Sequence, residues 1–282
     1  MDKLMAELSE PEKEYVKYAF KGTRVLISQS VENVSAGVLD FRILHRFGLL
    51  NSGINNLGGL DQAYIRLGLD YGITDNLMVG LGRSGASKEI DGYLKWKFLK
   101  QATGRKSFPL TAAVVGGMVV DTKPFANQDR INFNSSRLNY FYQLIIGRKF
   151  SDRFSFQLSP TLVHQNLVAS SADKNDIFGL GMGGRIKLTN RLTFNADYFY
   201  VPSGQIVSTN YQNALAIGFD IETGGHVFQL QLTNALGMNE KSFMTQTTGD
   251  WLKGDIHFGF NISRVFTLKA KKEFKDAQKK EW

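Results

Sequence analysis

Through most of the chain, apolar side chains recur at every second position. In residues 67–82, "LGLDYGITDNLMVGLG", Leu67, Leu69 and Tyr71 alternate with Gly68 and Asp70. Leu77, Val79 and Leu81 then alternate with Met78, Gly80 and Gly82. Period two marks an extended strand with two unlike faces, and Asp75-Asn76 supplies residues that accept tight-turn dihedrals. The stretch therefore predicts a β-hairpin. Later segments repeat the pattern. Leu192, Phe194, Ala196, Tyr198 and Tyr200 oppose Thr193, Asn195 and Asp197. Leu215, Ile217, Phe219 and Ile221 oppose Ala214, Ala216, Gly218 and Asp220. Phe228, Leu230 and Leu232 oppose Gln229, Gln231 and Thr233, and Ile256, Phe258, Phe260 and Ile262 oppose Asp255, His257, Gly259 and Asn261. In a water-soluble sandwich the greasy face packs inward; in a membrane barrel it points out into lipid.

The rhythm predicts twelve strands, over 38–48, 61–72, 76–84, 88–99, 108–120, 136–150, 153–165, 175–189, 191–201, 212–222, 226–234 and 254–265. Most run to about 9–14 residues, against about five or six for an ordinary globular strand and about 9–11 for a tilted membrane strand. The connections sort by parity. One set is tight, as in 72–76, 150–153, 189–191 and 222–226, with 100–107 somewhat longer. The other set is mostly long and polar, as in 49–60, 121–135, 166–174, 202–211 and 235–253, with 85–87 the exception. Short turns at one end and long loops at the other are the plan of outer-membrane barrels. Closing the sheet satisfies every backbone donor and acceptor without water. The expected fold is all-β: a single twelve-stranded antiparallel up-and-down transmembrane β-barrel with short periplasmic turns and longer extracellular loops. The expected division is a periplasmic N-terminal lead over 1–37, a barrel over 38–268 and a basic periplasmic tail over 269–282. Within the lead, residues 1–19 read as polar or weakly helical, with Leu4, Met5 and Leu8 on one side. Tyr71, Trp96, Phe98, Phe150, Phe154 and Phe194 fall near the turns and Tyr140, Tyr198 and Tyr200 near the loops, as two aromatic girdles would.

Composition narrows the picture. The longest apolar run, "LTAAVVGGMVV" at 110–120, is well short of the roughly 20 residues a helix needs to span a bilayer. Met1-Asp2-Lys3 leads into an acidic stretch without the apolar core of a signal peptide, so the barrel reading implies a signal removed before this numbering. The absence of cysteine excludes a disulfide framework, zinc–thiolate sites and covalently attached haem. Much of the net charge of +8 is local: residues 269–282 carry six lysines against three acids. That tail lacks aromatic interleaving, and charge alone speaks to association and solubility; no nucleic-acid partner is expected.

Four stretches carry a resemblance: "GVLDFRILHRFG" (37–48), "GLDQAYIRLGLDYGITDNLMVGLGRS" (59–84), "DGYLKWKFLKQ" (91–101) and "GDIHFGFNISRVFTL" (254–268). They resemble a Bacteroidota family of outer-membrane β-barrels that carries a domain-of-unknown-function label. The likeness covers nearly the whole chain from about residue 20 and rests on structural motifs. It implies a bacterial outer-membrane location, with outer-membrane lipid or lipopolysaccharide and other envelope proteins as the expected partners. It brings no catalytic or binding residues.

Motifs with possible chemistry are weak. "GLGMGGR" at 179–185 has the spacing of a dinucleotide loop, but "IKLTNRLTF" follows, and a phosphate site needs a helix N-terminus there. Gly179, Gly181 and Gly183 read better as inward positions of one strand. Outer-membrane phospholipases of similar strand number use a His with a Ser two residues on. Here His45, His164, His226 and His257 are followed at that distance by Phe47, Asn166, Phe228 and Gly259. His257 and Asp255 form a weak acid–base pair without a nucleophile. No enzyme activity, metal or cofactor is expected; Asp173 and Asp176 in a loop read equally as loose calcium ligands or as plain loop polarity.

The expected lumen lining is Asp40, Arg42, Arg66, Asp70, Lys95, Lys97, Asn195, Asp197, Asp220, Asp255 and His257, with Arg46 and Tyr93 also inward. Inward glycines, among them Gly68, Gly80, Gly82, Gly147, Gly218 and Gly259, mark places where something approaches closely. A lumen with a smooth side and a charged side has room for a segment, and residues 20–37 are the natural candidate to enter or cap it. The lining charges read either as mutually neutralising pairs or as a selectivity lining for solutes. Two functions follow as expectations: a narrow channel for small polar solutes, or a closed structural or docking subunit of an outer-membrane assembly.

Overall fold

The computed structural model describes residues 12–269 except 105, 126, 127, 130, 224 and 225. The first part of the lead, with Leu4, Met5 and Leu8, and the basic tail beyond Lys269 lie outside the described residues. Twelve strands close into one barrel: β1 (Val38–Leu49), β2 (Ala63–Gly72), β3 (Leu77–Ser84), β4 (Glu89–Leu99), β5 (Thr111–Asp121), β6 (Leu138–Lys149), β7 (Phe154–Gln165), β8 (Asp176–Lys187), β9 (Leu192–Tyr200), β10 (Leu215–Thr223), β11 (His226–Thr233) and β12 (His257–Thr267). Each pairs antiparallel with its chain neighbour, and β12 closes on β1 with Thr267 opposite Val38 and Ile262 opposite Ile43. Every strand falls on a predicted segment, with ends displaced by a few residues. The last begins at His257 rather than 254, because a 3-10 turn over Trp251–Lys253, ended by Gly254 in the left-handed conformation, takes up the residues before it.

Three of the short turns share one construction. In "ITDNL" the Thr74 hydroxyl accepts from the N–H groups of Asn76 and Leu77 at 3.2 and 2.9 Å. In "FSDRF" Ser151 does the same for Arg153 and Phe154, and in "LTNRL" Thr189 does so for Arg191 and Leu192. A hydroxyl that answers the orphan donors of the bend makes a tight hairpin cheap to form. The turns lie at one end of the barrel, together with both chain ends of the wall, Val38 and Thr267.

The two faces of the wall are inverted relative to a water-soluble protein. Leu69, Leu81, Leu94, Phe178 and Phe219 stand exposed on the outside, with Leu81 57% exposed. On the inside, the largest fully buried side chains include Arg24, Arg46, Arg66 and Lys95. Exposed apolar belts rimmed by polar residues mark a surface that meets something other than water. Trp96 and Phe98, 5.6 Å apart, and Phe150 and Phe154, 5.5 Å apart, cluster outside near the short turns; Tyr200 is exposed near the loops.

Candidate functional site in the lumen

The inner face is built from alternate residues of every strand. β1 to β4 supply most of its charge: Asp40, Arg42, Arg46, Arg66, Asp70, Asp91, Lys95 and Lys97 are all buried. β5 to β9 present a plainer surface toward the loop end, with Val115, Phe141, Ile145, Val163, Ile177 and Phe199 buried. Glycines make room on both sides. Gly80 and Gly82 do so beside the charges: a Cβ on Gly80 would lie 2.2 Å from the ring of Tyr93, its cross-strand partner, and one on Gly82 would strike the Arg66 guanidinium. Gly117 and Gly181 likewise lie beneath the rings of Phe141 and Phe199.

The chain before β1 occupies this lumen. Glu14–Tyr15 pairs with Ala102–Thr103 at the turn end. The backbone then enters the barrel as a finger over residues 19–34, doubles back, and leaves at the same end to begin β1. Arg24 pairs with Gln29 across the finger, and Val25 N–H donates to the Ser28 carbonyl at 3.0 Å. Asp197 holds the tip. One of its oxygens accepts from the N–H groups of Leu26, Ile27 and Ser28, at 3.4, 3.1 and 2.8 Å, and the other from the Ser28 hydroxyl at 2.9 Å. Converging backbone donors of this kind make a natural seat for an anion. The tip carbonyls are met in turn by Gln229, at Val25, and by Asn261, at Leu26.

The charged wall grips the finger further down. Lys95 directs its ammonium at three finger acceptors: the Ser30 carbonyl at 2.9 Å, Gln29 Oε1 at 3.2 Å and the Thr23 carbonyl at 3.3 Å. Three donors meet three acceptors, so the cation is satisfied without a carboxylate. Asp70 accepts from Thr23 and Tyr93. Lys97 pairs with Glu32 at 3.1 Å. Gln157 bonds both Val31 N–H and the Gln29 carbonyl. Across the lumen, glycines receive the finger's apolar edge: a Cβ on Gly147 would lie 3.1 Å from Val31, and one on Gly183 would lie 3.0 Å from Val25.

A second insertion comes from the opposite end. The long connection between β11 and β12 carries a short helix, α1 (Glu240–Thr245), buried along its whole length. Asn239 caps it by accepting from Ser242 N–H. Glu89, at the loop end of β4, binds Asn239 and Lys241 at 2.7 Å each and also the Ser242 hydroxyl. Phe243 packs edge-on against Phe199 at 4.8 Å, and Met244 fills the space over Gly179. The two insertions meet: Arg24 of the finger lies 3.2 Å from Glu240 of α1, both 1% exposed.

The lining residues expected from sequence mostly converge here. Arg66 pairs with Asp91, and Arg42 with Asp40 at 2.8 Å and with Asp70 at 3.6 Å. Asp220 accepts from Gln229 at 2.9 Å. Asn195 is buried on β9. His257 faces inward at the loop-end rim, with its ring nitrogen 2.8 Å from the Phe47 carbonyl. Asp255 is a correction. It precedes β12, in the loop-end rim, and is bound by Asn51 at 2.7 Å. That hydrogen bond holds its carboxyl below the usual range, and the residue shares no lumen face with His257. Sequence reasoning missed Glu89, Asp91, Gln157 and the Arg24–Glu240 pair. Glu89 and Asp91 continue the inward parity of Tyr93, Lys95 and Lys97, so that signal was present. For α1 the signal is Asn239, a helix-capping residue, ahead of the apolar pair Phe243-Met244.

Two openings flank the filled lumen. At the turn end a vestibule of about 670 Å³ is lined by Lys21, Glu32, Asp40, Arg185 and Glu222, among others. At the loop end a cavity of about 410 Å³ lies over α1. Outside both, His164 bonds Asp176 at 2.7 Å and Asn166 at 3.0 Å. Both ring nitrogens are thus held by structural partners, and the pair has no nucleophile in contact among the described residues.

A family model described as "Membrane bound beta barrel domain (DUF5777)" matches residues 20–266. No curated protein matches the sequence. Among solved structures, the NanC porin superimposes with a TM-score of 0.49 at 8% identity, covering 82% of this chain and 100% of that one. The KdgM porin gives 0.49 at 9%, covering 81% and 99%. The COG4313 outer membrane channel from Pseudomonas putida F1 gives 0.45 at 13%, covering 84% and 98%. None reaches a TM-score of 0.5, and none bears on what this barrel conducts or binds.

Proposed function

Because the chain belongs to the family of membrane bound beta barrel domains, its outward apolar belt faces lipid, and we propose that it is an outer-membrane channel for small polar solutes, shut in the described state. The observation that carries this reading is the Arg24–Glu240 contact at 3.2 Å. It joins an insertion from the turn end to one from the loop end, so the lumen is obstructed from both sides. The wall behind the finger is polar and charged. Its groups bond the finger where they would otherwise bond water, and each such exchange costs only about 0.5–1.5 kcal/mol net, although many of them together, with the buried Leu26, Ile27 and Val31, hold the described state shut. Displacement of the finger leaves a hydrophilic path lined by Lys95, Asp70 and Asp197.

Planar-bilayer recording tests the reading. The full chain is expected to be nearly silent, and Arg24→Ala with Glu240→Ala to produce openings. In that background Lys95→Glu is expected to shift selectivity toward cations. Silence of the unlatched variant, with the barrel folded, would favour a second reading, a closed docking subunit of an outer-membrane assembly. That reading draws on Ile54, Leu57 and Leu252, exposed apolar side chains on loops that Asn51 ties together through the Lys253 carbonyl. Its signature is co-purification of an envelope protein in mild detergent that Leu252→Asp abolishes.

A further inference from the structure

We infer that the loop-end cavity is a binding site for a polyhydroxylated ligand of mono- or disaccharide size that carries no negative charge. The cavity measures about 410 Å³, within the range of about 300–1,000 Å³ for small-molecule sites. Its floor is α1 and the residue after it, through Lys241, Thr245 and Gln246; its walls are the ends of β5, β6 and β7 and the two loops that follow β7 and β9.

The charge of the ligand follows from what the lining has already used. Three charged side chains reach the cavity: Lys241 is neutralised within the protein, and two carboxylates are held by neutral donors. Lys241 bonds Glu89 at 2.7 Å. Asp173 accepts from the N–H groups of Val207 and Ser208 at 2.8 and 2.9 Å, and from the Ser208 hydroxyl. Asp121 accepts from Lys123 N–H at 2.8 Å. An anionic ligand would find no free counter-charge there and would face two carboxylates that no cation neutralises. The groups that remain are neutral. The side chains of Gln165, Gln246, Ser136 and Thr209 line the cavity and make no hydrogen bond to protein among the described residues. A carboxamide offers donors and an acceptor side by side, and a hydroxyl offers both; vicinal sugar hydroxyls need this mixture. Leu167, Val168 and Ile206 complete the lining and cover the C–H faces such a ligand presents.

The inference goes beyond conduction, because it is read from the protein in detergent with no bilayer. Titration calorimetry and saturation-transfer NMR on the full, detergent-solubilised chain would use maltose, with glucuronate as the charged comparator. Heat and saturation transfer are expected with maltose, and weaker signals with glucuronate. Gln165→Ala combined with Gln246→Ala is expected to weaken maltose binding by about 10-fold or more, a loss equal to about 1.4 kcal/mol, while heat-modifiable gel mobility verifies that the barrel is folded. Asp152→Ala, at the opposite end, is expected to leave binding unchanged. The inference is overturned if maltose gives no signal up to its solubility, if glucuronate binds as well or better, or if the folded double variant binds maltose like the parent.

Discussion

Arg24 and Glu240 are the pair on which the filled lumen turns. Each is 1% exposed, and each belongs to a different insertion. Truncating one leaves the other as a buried charge without a partner, at a cost of about 3–5 kcal/mol. Arg24→Ala is therefore expected to speed amide exchange at Ile27 and Ser28 strongly. Arg24→Ala with Glu240→Ala should speed it by much less than the two single effects combined. Additive effects would mean that the contact carries no coupling. Asp197 is the second decisive residue. Asp197→Ala removes the acceptor of three backbone donors and one hydroxyl and is expected to loosen the tip while leaving exchange in the wall strands unchanged. Asp173 acts outside the membrane-spanning strands, where the Ser208 hydroxyl, with the Val207 and Ser208 amides, holds its carboxyl below the usual range. A group depressed in the folded state stabilises above its unfolded pKa of about 3.9 and loses that contribution as pH falls through its folded value. The loops following β7 and β9 should therefore stay joined at neutral pH and separate on strong acidification, which amide exchange at Val207 and Ser208 reads directly.

Elements differ in how visible they were. The strands were legible because lipid imposes one rule on every outward position: Leu67, Leu69, Leu81 and Phe219 must all be apolar, and the period survives along the whole segment. The start of β12 was misplaced because Ile256 continues the apolar alternation back toward a 3-10 turn over Trp251–Lys253 that ends on Gly254, and Asp255 was carried into the lumen with it. The finger has no such period. Its composition and position marked residues 20–37 as a candidate for the interior, but its holding partners, Asp70, Lys95, Gln157, Asp197, Gln229 and Asn261, come from six strands scattered along the sequence. Helix α1 spans six residues, too short for a 3.6-residue pattern to repeat. At this scale the glycines give the sharpest prediction. Gly183→Leu places a branched side chain where a Cβ alone would lie 3.0 Å from Val25. The barrel is expected to form and the finger to be expelled, so that trypsin cuts at Lys21 or Arg24 with the wall intact. Protection equal to the parent protein would contradict the packing described.

At the scale of the whole molecule, the fold puts buried charge inside and exposed hydrocarbon outside, then fills the charged interior with its own chain. Arg66–Asp91, Lys97–Glu32, Lys241–Glu89 and Arg24–Glu240 neutralise much of that interior, and the last three each join the wall or the finger to an inserted segment. The same polar groups that close the barrel around its plug would line a water-filled path without it. The most direct measurement uses the absence of native cysteine. A Cβ on Gly147 would lie 3.3 Å from the Cβ of Val31, close to the roughly 3.5–4.5 Å separation of a disulfide. Val31→Cys with Gly147→Cys, oxidised in intact membranes and digested between the two positions, is predicted to keep its halves joined until a reductant is added. Separation of the halves without reductant, in a correctly folded barrel, would mean that the finger does not occupy the lumen.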